Sequence, residues 1–261
     1  LRHGQVQHPI DEQSAREHQV HHLPHLAVGA VLHGQDRRIA VPALHRAIGA
    51  LKIGKAELFR AKEELSGKIE VLFGVELGLM KHLGERLHAF LDGKGFDFVI
   101  GSSHLVDGKD PYFPEYFAEF GSKNGILRYF ESIVENLGAF SDFDVYGHID
   151  YVVRYSPEKC YNPLDYREIL DEILRKIIAL GKGIEINTAP LRKGLSHANP
   201  HPFILKRYRE LGGEIITVGS DAHNIEDIAA DFDIAEKTLI DAGFRYYAVF
   251  RERKPIFKRL G

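Results

Sequence analysis

Three histidines stand beside small residues and carboxylates where apolar runs end: Gly101-Ser102-Ser103-His104, Tyr146-Gly147-His148-Ile149-Asp150 and Gly219-Ser220-Asp221-Ala222-His223. Glu76 closes a further run, Val71-Leu72-Phe73-Gly74-Val75. Imidazole nitrogen and carboxylate oxygen are the donor mix of hydrolytic Zn, Mn or Fe centres. A strand carries its last side chain to the mouth of a sheet or barrel, and small neighbours leave room there for an ion and a substrate. Each residue alone has a duller role. A single histidine is more often a satisfied core or surface group, Asp221 would serve equally as the cap of a helix starting near residue 225, and Glu76 as a strand-end surface charge. Taken together they point to metal. Glu76 lies between Val75 and Leu77, which argues against simple exposure, and Asp221 sits two residues from His223. The candidate ligands are therefore Glu76, His104, His148, Asp221 and His223, with Glu76 and Asp221 as the carboxylates closest to the chemistry.

The elements that must position these groups follow from hydrophobic patterning. Short runs rich in Val, Ile and Phe predict strands over 69–75, 96–101, 143–147, 183–187, 214–219 and 246–250. Helical spacing predicts helices over 55–65, 84–91, 125–137, 163–180, 202–211 and 225–242. Pro163 suits a first helical turn, and Gly181 and Gly212 suit helix exits. Repeated βα units imply a mostly parallel sheet, closed or open.

Composition divides the chain near residue 52. Residues 1–51 hold eight of the fifteen His and all the Gln, but no Lys, Phe, Tyr or Asn. Three readings apply to that segment: a His-rich metal-binding arm, a divergent part of the domain with short strands over 25–34 and 37–44, or a stretch translated in the wrong frame or spliced from other DNA. The shift from Arg to Lys usage favours the third. Residues 52–261 read as one domain. The whole chain of 261 residues carries a formal net charge of -3 without a basic block, so charge gives no reason to expect nucleic acid as partner. A single cysteine, Cys160, rules out an internal disulfide framework and fits a reducing cytoplasm. No apolar run approaches the ~20 residues that span a bilayer, and the expectation is a cytosolic protein without membrane partners.

The ordered segments Gly-Val-Glu-Leu-Gly (74–78), Gly-Ser-Ser-His (101–104), Gly-His-Ile-Asp (147–150), Glu-Ile-Asn-Thr (185–188) and Gly-Ser-Asp-Ala-His (219–223) resemble the histidinol phosphatases of the polymerase-and-histidinol-phosphatase (PHP) superfamily. The resemblance runs from about residue 55 to 261. It implies a distorted (β/α)7 barrel with three divalent ions at the C-terminal strand ends, and a cytosolic role in histidine biosynthesis. It further implies that Glu76 bridges two metals, that His104 and His148 bind one of them, and that Asp221 and His223 complete the cluster. The superfamily's N-terminal His-x-His and Thr-Asp/Glu-His motifs have no counterpart in residues 1–51, where His18, His21, His22 and His25 are left unassigned.

Phosphate recognition supplies a second group. Arg154 and Arg192 lie in loops on the metal-bearing face, and planar guanidinium groups bind phosphate bidentately. The resemblance implies that both hold the substrate phosphate, with His197 a weaker candidate at the organic end. The implied reaction is hydrolysis of the phosphomonoester L-histidinol phosphate, a small molecule, to L-histidinol and phosphate. Two alternatives stand beside it: another phosphoesterase of the superfamily, and a non-catalytic remnant lacking the N-terminal ligands.

Overall fold

A parallel sheet carries the metal-type residues at one of its ends, and the strand register shows why. The computed structural model describes the strand Val28–Val31, residues 60, 62–64, 66 and 67, and the chain from 70 to 261. The strand expected over 37–44, seven of the eleven residues of the helix expected over 55–65, and His18, His21, His22 and His25 lie outside the described residues.

Six strands lie side by side in chain order: β1 (Val28–Val31), β2 (Glu70–Gly78), β3 (Phe98–Ser102), β4 (Val145–Tyr146), β5 (Gly183–Asn187) and β6 (Ile216–Gly219). From β2 to β6 every pairing is parallel, and the sheet curls as part of a distorted (β/α) barrel; β1 joins β2 antiparallel, with Val28 opposite Phe73. The register sets Gly78 opposite Ser102, Gly101 opposite Tyr146, and Asn187 opposite Gly219. The residues that follow each strand, His104, His148, Thr188 and Asp221, are thereby delivered to a common C-terminal rim.

Helices cover one face of the sheet because their apolar residues recur at helical spacing. They are α1 (Gly84–Leu91), α2 (Pro114–Phe120), α3 (Ser122–Ala139), α4 (Arg167–Ala179), α5 (Ala189–Arg192), α6 (Pro202–Glu210) and α7 (Phe232–Asp241). In α3 the buried stripe runs through Ile126, Tyr129, Phe130, Ile133 and Leu137; in α4 it is Leu170, Ile173, Leu174 and Ile177. These meet Val71, Phe73, Val75 and Leu77 of β2 in the main core. A smaller cluster of Ile100, Val145, Ala248 and Phe250 forms a separate apolar contact.

The final hairpin, β7 (Tyr246–Arg251) and β8 (Lys254–Arg259), forms its own antiparallel pair, with β7 packed beside β6. Its turn residues Glu252 and Arg253 both have positive φ, 49° and 63°, the backbone of a tight hairpin turn that normally favours Gly or Asn. Outside contacts hold it. The Glu252 and Arg253 amides donate to Asp97, and Arg253 Nε donates to the Asp144 carboxylate at 2.7 Å. Asp97 and Asp144 in turn accept from the amides of Phe73 and Val99. The hairpin thus bolts the N-terminal end of the sheet, opposite the histidine rim.

The expected strand 183–187 and helix 84–91 match the observed bounds. The helix expected over 225–242 is divided into a 3₁₀ turn, Ile225–Asp227, and α7, because Ala229 and Asp231 adopt positive φ. Helix α2, strand β8 and a 3₁₀ turn over Tyr151–Tyr155 lie outside the elements that patterning predicts.

Candidate metal centre and phosphate pocket

Glu76, His104 and His148 converge on one point: one ligand atom from each lies within 4.8 Å of the other two. Glu76 Oε1 stands 3.0 Å from His148 Nε2 and 3.4 Å from His104 Nε2. The Ser102 hydroxyl donates to the same oxygen at 2.8 Å. All three side chains are largely withdrawn from water, at 19%, 11% and 5% exposure. Burial opposes ionisation of Glu76, yet the His148 hydrogen bond, the charges on His148 and His104, and the Ser102 hydroxyl hold its carboxyl well below the usual range. Burial likewise disfavours the charged form of His148, but its hydrogen bond and charge interaction with Glu76 leave its pKa raised. His148 has φ of 29°, a costly backbone for a residue with a Cβ, and it sits where β4 must turn its side chain into the rim.

Glu185, inside the apolar run of β5, joins the trio electrostatically. Burial pushes its carboxyl up to about 7, with the charges of Glu76 and Asp221 acting in the same direction and His148 and Asn187 opposing. Two glycines make its niche. A Cβ on Gly219 would stand 2.3 Å from Glu185 Oε1, and one on Gly147 would stand 3.5 Å from Oε2. Neither Glu185 nor Ser102 is among the sequence candidates. The signal for Glu185, a carboxylate within a buried strand, equals that for Glu76.

The remaining candidates fall around this trio. Asp221, at φ 46°, follows β6 on the rim; His223 is 75% exposed in its side chain and pairs back on Asp221, with Nδ1 3.0 Å from the Asp221 carbonyl. Among the described residues these two stand outside the close group of Glu76, His104 and His148. Arg154, 7% exposed, has no hydrogen-bond partner for Nε or Nη2 among the described residues. Its guanidinium lies 5.0 Å from the Tyr151 ring centre and 6.0 Å from that of Tyr155. Arg192 is engaged: Nε meets Asp227 Oδ1 at 3.0 Å and Nη2 donates to the Ser220 carbonyl, while Nη1 lacks a hydrogen-bond partner among the described residues and stands 3.8 Å from Asp231 Oδ2. His197 packs its ring 4.6 Å from that of His201, with Nδ1 2.8 Å from the Ala198 carbonyl.

The donor set fits a divalent cation. A carboxylate and two imidazoles converge from three neighbouring strand ends, the ligand types that Zn, Mn and Fe accept. Buried, unpaired guanidinium N–H groups are costly unless an anion or water meets them, so Arg154 is suited to a phosphate.

Known proteins carry the same reading. A Clostridium acetobutylicum protein named "Probable histidinol-phosphatase" is 37% identical over 189 residues, spanning 71% of this chain and 72% of its own. The histidinol-phosphatase of Lactococcus lactis is 30% identical over 201 residues, 76% of this chain and 74% of that protein. The crystal structure of the L. lactis histidinol phosphate phosphatase, complexed with zinc, L-histidinol and phosphate, matches with a TM-score of 0.69 at 27% identity, covering 77% of each chain. Residues 39–189 match the PHP domain, so the match begins before the compositional boundary near residue 52. With more than half of its length matched, and with relatives of this similarity, the chain belongs to the PHP domain family.

Proposed function

We propose that the chain is a metal-dependent phosphomonoesterase that hydrolyses L-histidinol phosphate to L-histidinol and inorganic phosphate. The observation that carries this is one rim bearing both the Glu76–His104–His148 trio and the buried Arg154 guanidinium, whose Nε and Nη2 have no hydrogen-bond partner among the described residues. The L. lactis structure, with zinc, L-histidinol and phosphate bound, supports the substrate.

Glu76, His104 and His148 would hold a divalent ion. Asp221 and His223, after the end of β6, would extend the site toward the three Zn, Mn or Fe ions that the superfamily implies. When bound, such ions supply Lewis acidity toward a phosphoryl oxygen and acidify water. The chain's own groups do the rest. Arg154 offers Nε and Nη2 to two phosphoryl oxygens, a paired geometry that orients as well as neutralises. Arg192 contributes Nη1 while Asp227 and the Ser220 carbonyl fix the rest of its guanidinium. Ser102 holds the Glu76 carboxylate in one orientation, so no reorganisation is needed when charge develops. His197 stands as the weaker candidate for the organic end. The product would feed histidine biosynthesis, in the cytosol. Among the described residues no helix is long and apolar enough to cross a membrane.

The test is phosphate release from L-histidinol phosphate by metal-loaded protein, compared with phosphodiesters and nucleotides. Release confined to L-histidinol phosphate, lost on chelation and restored by zinc, is the expected result. A folded, metal-saturated chain that releases nothing, or that prefers diesters, would overturn the assignment.

A further inference from the structure

Tyr151 is the side chain that touches both halves of the site. Its ring centre lies 4.9 Å from that of His104, edge-on at 80°, and 5.1 Å from that of His148, tilted at 37°. The Arg154 guanidinium stands 5.0 Å from the same ring. The Tyr151 hydroxyl is taken up by the Tyr155 hydroxyl at 3.1 Å, so the ring is the part of Tyr151 presented to the site. The side chain is buried, at 5% exposure. The 3₁₀ turn Tyr151–Tyr155 begins three residues after His148, and this tight turn brings Tyr151 and Arg154 back against the strand end.

We propose that Tyr151 is a positioning residue that couples the metal-binding trio to the phosphate-binding arginine. The inference rests on the reading of Arg154 and the trio given above. An aromatic ring has a negative face and a positive edge, so it favours a guanidinium over its face and ring edges directed at it. An imidazole that donates its lone pair to a cation becomes poorer in electrons, and its contact with the tyrosine ring strengthens. A phosphate on Arg154 changes the charge that the same ring faces. One flat group therefore senses both ligands and keeps His104, His148 and Arg154 at fixed separations. Groups that orient ligating histidines from behind typically matter by 10–100-fold in metal affinity or activity.

The experiment measures zinc affinity by competition with a chromogenic chelator and inorganic phosphate affinity by calorimetry on zinc-loaded protein. Tyr151→Leu is expected to weaken both by about tenfold or more, and Tyr151→Phe, which keeps the ring, to recover both to within about threefold. In an Arg154→Gln background, Tyr151→Leu should add little to the loss of phosphate affinity, because the two act through one path. A folded Tyr151→Leu protein with both affinities unchanged overturns the proposal, as does a Tyr151→Phe protein as impaired as Tyr151→Leu. If Tyr151→Leu does not fold, the ring resonances of Tyr151 in wild-type protein, identified by their loss in Tyr151→Phe, decide the matter. They should move on adding zinc and again on adding phosphate, and silence to either overturns the coupling. Binding is read directly, so a chain that binds zinc and phosphate yet spares L-histidinol phosphate refutes only the substrate assignment.

Discussion

Replacing Arg154 by methionine should make the phosphate-free protein more stable while removing its response to phosphate. Arg154 is 7% exposed, and its Nε and Nη2 have no hydrogen-bond partner among the described residues. Each such buried donor costs about 1–3 kcal/mol when unmet. The offsetting attraction to the Tyr151 ring is worth about 0.5–2 kcal/mol. Methionine fills much of the same volume without a charge to desolvate, and exchanging a buried charge for a packed apolar side chain often gains about 1–4 kcal/mol. The expected net gain is about 1–3 kcal/mol, or roughly 3–8 °C in Tm for a chain of this size. Wild-type protein, by contrast, should gain about 2.7 kcal/mol from phosphate at a hundred times its Kd. Urea unfolding of both proteins, with zinc present and phosphate absent or added, measures all four stabilities. The reasoning fails if Arg154→Met is less stable than wild type without phosphate, or if phosphate still stabilises it to the wild-type extent.

Further outcomes follow from other parts of the molecule. Gly219→Ala places a Cβ 2.3 Å from Glu185 Oε1, so the carboxylate must leave its niche; kcat/KM should fall by about tenfold or more, and wild-type kinetics would show that Glu185 has no part in the site. Arg253→Met leaves the Asp144 side chain, 5% exposed, with the Val99 amide as its remaining hydrogen-bond donor among the described residues; unfolding free energy should drop by about 2–4 kcal/mol with kcat unchanged, since the hairpin turn lies at the far end of the sheet. Asp171 is held below the usual carboxylate range first by its hydrogen bonds from Arg207, at 2.7 and 2.8 Å, against some burial. A depressed folded pKa means stability that is present above the unfolded value of about 3.9 and is lost as pH falls through the folded one. Wild type should therefore lose stability in acid more steeply than Asp171→Asn, and parallel stability curves from pH 5 to 2 would refute the pairing's contribution.

Much of the candidate site was legible because a polar residue within a buried strand is a conspicuous exception. Glu76, His104 and His148 each end or follow an apolar run, and the parallel register brings them to one rim. Strand 183–187 and helix 84–91 were readable to the residue, since Gly183 and Gly84 open runs with clean patterning. Other elements gave no periodic signal. Tyr151–Tyr155 is too short for a helical period and too apolar to stand out as a loop. Strand β8 sets Pro255, Ile256 and Phe257 between Lys254 and the Lys258-Arg259 pair, and none of its six residues is buried, so it lacks the buried run that marks the other strands. The break before α7 depends on left-handed backbone at Ala229 and Asp231, which no side-chain pattern announces. Glu185 carried the same mark as Glu76, a carboxylate within a buried apolar strand. That Arg192 faces Asp227 and Asp231 depends on how the loop after β6 folds back, a tertiary fact beyond the reach of spacing.

The bolt that Arg253 forms with Asp97 and Asp144 also orders events during synthesis. Arg253 lies 109 residues after Asp144, and Arg251 lies 181 residues after its partner Glu70. Chains emerge from the ribosome at about 5–20 residues per second, so Asp97 and Asp144 wait on the order of ten seconds for their clamp. During that interval, among the described residues, Asp97 keeps the Phe73 amide and Lys62, 4.0 Å away, and Asp144 keeps the Val99 amide, while the hairpin turn that completes the clamp is missing. The clamp at this end of the sheet is therefore among the last contacts the growing chain can make, after every residue of the histidine rim has been synthesised.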